Sequence, residues 1–345
     1  MKKDASPFTT KNTNVFKQIL ELTQKEGQEG WTLAKETLLK RKKGNPLLQE
    51  AIEYTMNRYA PDYFRPAFVS LCCKAVGGKP SSSTVIAGAS MVLLARAVGF
   101  HDDIIDDSKT KKGRPTLFGK YGKNLTLVIS DCLMFEGFTL LRGIRKEQNI
   151  NSILETIERL WSFEQSESET LELQHRNRTD ITPEECVKKI KMRSSEIEAI
   201  ARIGGILGNG KPEEIDILGE YGRHLGFMAI LRDELVDMFE LDELKHRIKK
   251  ESLPLPVVYA LQNSEARPQL LRTIQETKLG SRDLIKIAQL CDKVNSIETV
   301  ANLIRRSSIE ASSLANIMVE EKQNLQLLGK SVVVEPEEWK PIGLA

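Results

Sequence analysis

The chain has 345 residues, 40% of them hydrophobic, and its 50 Lys and Arg against 48 Asp and Glu leave a net charge of +2. That balance, with aromatics at only 6%, argues against a dedicated nucleic-acid binder, which needs a basic face and stacking platforms. The odd set of five cysteines (Cys72, Cys73, Cys132, Cys186, Cys291) suits buried apolar roles in a reducing, cytoplasmic setting better than disulfides or a metal site.

Residues 1–12 carry two lysines but no apolar stretch, so they read as a flexible N-terminus without a secretory signal. Val15–Leu22, Trp31–Leu39 and Leu47–Tyr59 then repeat apolar residues at helical spacing. Between them, the basic run Lys40-Arg41-Lys42-Lys43 reads as a solvated helix end, because no aromatics interleave with it. Ser81-Ser82-Ser83-Thr84 opens an apolar run from Ser83 to Phe100. Ser90 and Arg96 interrupt that run, so it is expected as a buried helix and no transmembrane segment is predicted.

Further along, Thr182-Pro183-Glu184-Glu185 is a helix start, with a capping threonine, a first-turn proline and acids that suit the helix dipole. Helices break at Gly/Pro clusters such as Gly77-Gly78-Lys79-Pro80 and Gly113-Arg114-Pro115. Val332–Val334 is the only strand candidate. The reading is all-α: one helical domain over residues 13–328 and an irregular tail over 329–345, with no repeat or long linker.

The chemistry gathers at His101-Asp102-Asp103-Ile104-Ile105-Asp106-Asp107, at the C-terminal end of the apolar helix. Asp102 and Asp106 are four apart and share a face, with Asp103 at its edge. Like charges at a helix C-terminus are costly, so a cation is expected there. Carboxylates alone select a hard one such as Mg²⁺; a solvated acidic helix end is the plain alternative. Lys109, Lys111, Lys112 and Arg114 follow at once, which suits a metal-bound polyphosphate. A second group, Asp233-Glu234-Leu235-Val236-Asp237, repeats the four-residue spacing. Two such helices facing each other would hold metal between them.

The pair resembles the two aspartate-rich motifs of the trans-isoprenyl diphosphate synthases, the polyprenyl synthetase family. The resemblance runs from about Arg58 to Tyr259 and includes HDDIIDDSKTKKGRPTLFGKYG, the central ETLELQHRNRTDITPEECVKKIKMRSSEI, LGFMAILRDELVDMF and Ser252-Leu253-Pro254. It implies a helical bundle around a deep cavity with both motifs at the mouth. Three Mg²⁺, held by Asp102, Asp103, Asp106, Asp233, Glu234 and Asp237, would bind an allylic prenyl diphosphate. Arg65, Lys111, Lys112, Arg193 and Lys250 match diphosphate contacts. The implied reaction ionises the allylic substrate and condenses it with isopentenyl diphosphate, in a homodimer or a heteromer with a related subunit. Ala97 and Val98, small residues one turn before the first motif, would line an unblocked cavity for chains of twenty carbons or more, unless they merely pack against a neighbouring helix.

The chain also departs from the family. The isopentenyl diphosphate site expected as Gly-Gly-Lys-x-x-Arg-Pro is Ala60-Pro61-Asp62-Tyr63-Phe64-Arg65-Pro66, which reverses a charge at Asp62. A histidine is replaced by Ala95, and a Phe-Gln pair by Ala229-Ile230. Three readings follow: an elongating synthase that uses Arg96 or Lys74 in compensation, an enzyme that ionises the allylic substrate but uses another acceptor or cyclises it, and a non-catalytic subunit. A binding-only module would have lost one aspartate motif, and both are present.

Overall fold

The computed structural model describes residues 13–40, 44–111, 113–144, 147–276 and 278–333. The first helices are α1 (Thr13–Leu39), α2 (Pro46–Arg58), α3 (Phe64–Ala75) and α4 (Ser82–Ile105). A hairpin of β1 (Thr110–Lys111) and β2 (Arg114–Pro115) leads into α5 (Leu117–Leu141) and α6 (Glu147–Thr156). A π-helical segment, Ile157–Glu164, joins α6 to α7 (Gln165–His175), followed by α8 (Pro183–Arg193), α9 (Ser195–Leu207) and α10 (Pro212–Asp237). The last helices are α11 (Leu241–Lys250), α12 (Leu255–Ala260), α13 (Arg267–Ile274), α14 (Ser281–Lys293), α15 (Ser296–Ile317) and α16 (Lys322–Val332).

Two expected helix starts have the local chemistry that predicted them. Ser81 and Thr84 form a reciprocal capping box at α4, and Thr182 and Glu185 form one at α8. α4 stops where Asp107 takes a left-handed φ of 54°, which an aspartate tolerates better than most residues. The Asp106 N–H still donates to the Asp102 carbonyl, so the acids stay in helical register to the end.

Two apolar clusters flank the centre. One gathers Trp31, Leu38, Met56, Ala97, Phe100 and Leu133 from α1, α2, α4 and α5. The larger joins α3, α9, α10, α12, α14 and α15 through residues such as Phe68, Ile200, Tyr221, Met228 and Ile304. The larger cluster supplies Leu94, Ile157 and Trp161 to the wall of the site.

Several expectations change. α16 runs through Gly329 to Val332, so these four residues are helical where irregular chain was expected, and Val332 is no strand residue; residues 334–345 of the expected tail lie outside the described residues. Among the described residues the strand pairing is the β1–β2 hairpin, Thr110 opposite Pro115. Val334, residues 1–12 and Arg41 to Lys43 lie outside the described residues. By length and composition α4 and α5 are apolar enough to cross a membrane, Ser90 and Arg96 notwithstanding; 61% of the most apolar stretch of α4 is buried within the fold, as in a core helix.

Candidate active site

The first acidic group ends α4 and faces α7, a helix that sequence reading left without a role. Asp102, Asp106 and Glu169 each place a carboxylate oxygen within 4.8 Å of the others. Three carboxylates this close repel. Burial, then Asp102, Glu251 and Glu169, push Asp106 up to about 8 against the pull of Arg176. Glu169 is also raised, mainly by burial, and its Oε1 is buried without a hydrogen-bond partner. An orphaned carboxylate oxygen beside two aspartates fits a hard cation, so these residues could hold a metal ion.

Cations surround the acids. Arg193 donates to Asp102 at 3.0 Å, Lys111 reaches Asp103 at 2.6 Å and Asp102 at 3.8 Å, and Lys250 meets Asp107 at 3.0 Å. Arg176 pairs with Asp106 and also donates to the Ile105 carbonyl at 2.9 Å. Burial would lower the Lys111 ammonium, but Asp103 and Asp102 raise it above its usual range. Lys111 is delivered by the β1–β2 hairpin, which folds back because Gly119 packs on the Lys109 carbonyl: a Cβ there would meet that oxygen at 1.9 Å. Lys112 lies outside the described residues.

α7 works as a polar spine at helical spacing. Gln165 donates to the Arg193 carbonyl at 2.7 Å, Glu169 faces the aspartates, and Glu172 accepts from Lys189 and Ser252. Lys189 donates to Ser252 Oγ at 2.6 Å, and both charged side chains of the Glu172–Lys189 pair are about 5% exposed or less. Burial raises Glu172, but Lys189 and the Ser252 N–H bring it down to about 2.

The second acidic group divides. Asp233 lines the same cavity as Asp102 and Glu169. Glu234, expected as a metal ligand, is buried instead, accepting from the Leu255 N–H at 2.8 Å and from Arg247 at 3.1 Å. Asp237 accepts from Arg247 at 2.9 Å. Arg247 therefore occupies the side of the motif where metal was expected, and its buried guanidinium is held charged by Glu234, Glu251 and Asp237 against the pull of burial. Asp103 is likewise taken up by Lys111 and lies outside the three-carboxylate group.

From the acids a cavity of about 580 Å³ runs inward past Val98, Gly99, Gly226, Ala229 and Ile230 to Leu94, Met134, Phe138 and Trp161. Gly226 lets α10 approach the Ser194 turn, where a Cβ would meet the Ser194 side chain at 2.9 Å. The π-helical segment supplies Trp161 and Ser162 to the wall, in keeping with the habit of such segments to sit at functional sites. Val98 lines the cavity at 37% exposure, but Ala97 is wholly buried among Leu38, Met56 and Leu133. The packing alternative thus holds for Ala97, which points into the cluster of α1, α2 and α5 while Val98, 100° further around α4, faces the space.

Arg65 also lines the cavity, but all three of its guanidinium nitrogens are engaged. Nη1 donates to Asp62 at 2.6 Å, while Nε and Nη2 reach Glu196 Oε1 at 2.8 and 2.7 Å. Neither cation suggested in compensation for Asp62 lines this cavity. Lys74 pairs with Glu26 at 2.7 Å in a different hollow, and Arg96 donates to the Thr55 and Ala60 carbonyls under Trp31 and Tyr59. His101 faces Asp131 at 3.5 Å rather than a motif aspartate.

The profile of the polyprenyl synthetase family matches residues 45–291, a span that contains both acidic groups, the hairpin and α7. The chain belongs to that family. The short chain isoprenyl diphosphate synthase of Methanothermobacter thermautotrophicus is 28% identical over 233 residues, 65% of this chain and 70% of the relative. The octaprenyl diphosphate synthase of Escherichia coli is 25% identical over 272 residues, covering 77% and 82%. In fold, the geranylgeranyl pyrophosphate synthetase of Pyrococcus horikoshii superposes with a TM-score of 0.82 at 22% identity, over 93% of this chain and 99% of that one. A Caulobacter crescentus polyprenyl synthase, complexed with calcium and isoprenyl diphosphate, gives 0.79 at 15% identity, over 92% and 98%. This polyprenyl synthetase is a prenyl transferase with the all-α fold of its relatives.

Glu169, Gln165 and Arg176 were not legible as site residues. The common face of Gln165 and Glu169 on α7 was the available signal, but nothing in the sequence said which helix that face would meet.

Proposed function

We propose that this chain is a Mg²⁺-dependent enzyme that ionises an allylic prenyl diphosphate and transfers its prenyl group. The observation that carries the reading is the Asp102–Asp106–Glu169 cluster, with its orphaned Glu169 oxygen, at the mouth of an apolar cavity ringed by Arg193, Lys111 and Lys250. Mg²⁺ bound to the carboxylates would supply positive charge against the diphosphate. With the acids neutralised, Arg193 and Lys111 are released from them to hold diphosphate oxygens. As the C1–O bond breaks, its electron pair leaves with the diphosphate and these cations stabilise the developing charge. Ala229, Ile230 and Val98 shield the allylic cation from water, and the small Val98 and Gly99 side of the wall supports chains of twenty carbons or more.

Condensation with isopentenyl diphosphate is the acceptor chemistry the sequence led us to expect. Transfer to a different acceptor is the second reading, favoured by the Arg65 pairing. A cytoplasmic homodimer belongs to the same proposal, supported by the free cysteines and by exposed Phe135, Phe163 and Val128. The test is release of diphosphate from geranylgeranyl diphosphate by the purified chain, with and without Mg²⁺. Release that is unchanged by a chelator, or by Asp102→Asn with Asp106→Asn, refutes the reading.

A further inference from the structure

Arg193 is the last residue of α8, so the cation that meets Asp102 at 3.0 Å hangs from a helix C-terminus. Such an end exposes carbonyls with partial negative charge, a poor neighbour for a diphosphate. Here those carbonyls are covered. Gln165 Nε2 donates to the Arg193 carbonyl at 2.7 Å, and Arg223 Nη1 donates to the Lys191 carbonyl at 2.8 Å. Ser194 adds its hydroxyl to the Lys191 carbonyl at 2.6 Å and its N–H to the Ile190 carbonyl at 3.0 Å.

Arg223 is held from two further sides. Its Nη1 and Nη2 grip both oxygens of Glu164, the Nη2 contact at 3.1 Å, and its Nε donates to Glu198 Oε2 at 2.5 Å. Glu164 closes the π-helical segment and Gln165 opens α7. Two successive residues thus hold the end of α8, Gln165 directly and Glu164 through Arg223. On α10, Arg223 stands one turn before Gly226, which brings that helix against the Ser194 turn. Arg223 and Glu164 lie outside the cavity lining, and the donor reading above gives neither a role.

We propose that Arg223, bracketed by Glu164 and Glu198, is a positioning residue for diphosphate binding: it screens the negative end of α8 and fixes the turn from which Arg193 reaches the site. The inference rests on the donor reading and adds a residue to it. A guanidinium bound on both sides is a rigid strut, so the α8 end keeps its place when Mg²⁺ frees Arg193 from Asp102. Without Arg223 the α8 end regains its negative charge, and Arg193 loses the fixed geometry that an anion site needs.

Calorimetry on the full chain, with inorganic pyrophosphate as the probe and Mg²⁺ in excess, tests this through a double-mutant cycle. Arg223→Met should weaken pyrophosphate binding about tenfold. That loss should vanish when Arg193→Met is already present, because nothing is then left to position. Arg202→Met opens the same network from its far side, where Arg202 bridges Glu198 and Asp216 at 2.7 Å, and should leave the affinity unchanged. Unaltered affinity in folded Arg223→Met overturns the inference. So does a loss that adds in full to that of Arg193→Met, or an equal loss in Arg202→Met, since either describes a general scaffold. If circular dichroism shows Arg223→Met unfolded, Glu164→Gln, which loosens the guanidinium but keeps its charge, takes its place in the cycle with the same outcomes deciding. Absence of Mg²⁺-dependent pyrophosphate binding by the unaltered chain removes the donor reading, and this inference with it.

Discussion

Replacing Lys189 by methionine keeps the bulk of the side chain and removes the ammonium that faces Glu172. Both groups are about 5% exposed or less, and breaking one side of a buried pair costs about 3–5 kcal/mol because the other charge is stranded. The fall of Glu172 from an ordinary 4.5 to about 2 gives about 3 kcal/mol by linkage. For a chain of 345 residues that lowers Tm by about 4–7 °C. Thermal and urea unfolding of Lys189→Met should show this loss, and Lys189→Met/Glu172→Gln should recover most of it, since no charge is then left unpaired. The single variant should also bind Mg²⁺ more weakly, because Glu172 fixes α7 one turn from Glu169. A single-variant loss below about 1 kcal/mol, or a double variant no more stable than the single one, would refute the idea that this pair locks the helix.

The same depressed Glu172 predicts an acid limb. Its contribution is complete above about pH 4.5 and is lost as pH falls from there toward 2; Glu172→Gln should flatten that part of a pH–stability profile, as monitored by circular dichroism. Glu169→Gln, which removes one of three clustered carboxylates, should reduce Mg²⁺-dependent diphosphate release about a hundredfold or more with Tm unchanged or raised, because a repulsive buried charge is gone. Val98→Phe should shorten the longest allylic substrate accepted, as read by product analysis, whereas Ala97→Phe should cost about 1–3 kcal/mol in unfolding assays through overpacking. Arg247→Met should destabilise the fold by about 3–5 kcal/mol, since it strands buried Glu234; full stability in that variant would return Glu234 to the metal site.

Helix starts at Ser81 and Thr182, the all-α class and the Asp102/Asp106 face were legible in the sequence because each depends on residues within one or two turns of one another. Local spacing decides a cap or a helix face whatever the rest of the chain does. What spacing could not supply was the partner of each charge. Asp233 and Asp237 repeat the Asp102/Asp106 spacing, yet Arg247, ten residues after Asp237, claims Asp237 together with Glu234. Arg65 looked like an anion binder until Glu196, 131 residues away, met its guanidinium. Ala97 and Val98 are adjacent and both small, and only the packing of α4 against α1, α2 and α5 sends one into the core and the other to the cavity. The sequence alone determined where the carboxylates and cations stand on their helices. Which of them pair with each other, and which keep an oxygen open, was decided by the tertiary structure, because the energy of a buried charge depends on neighbours that only folding brings within reach.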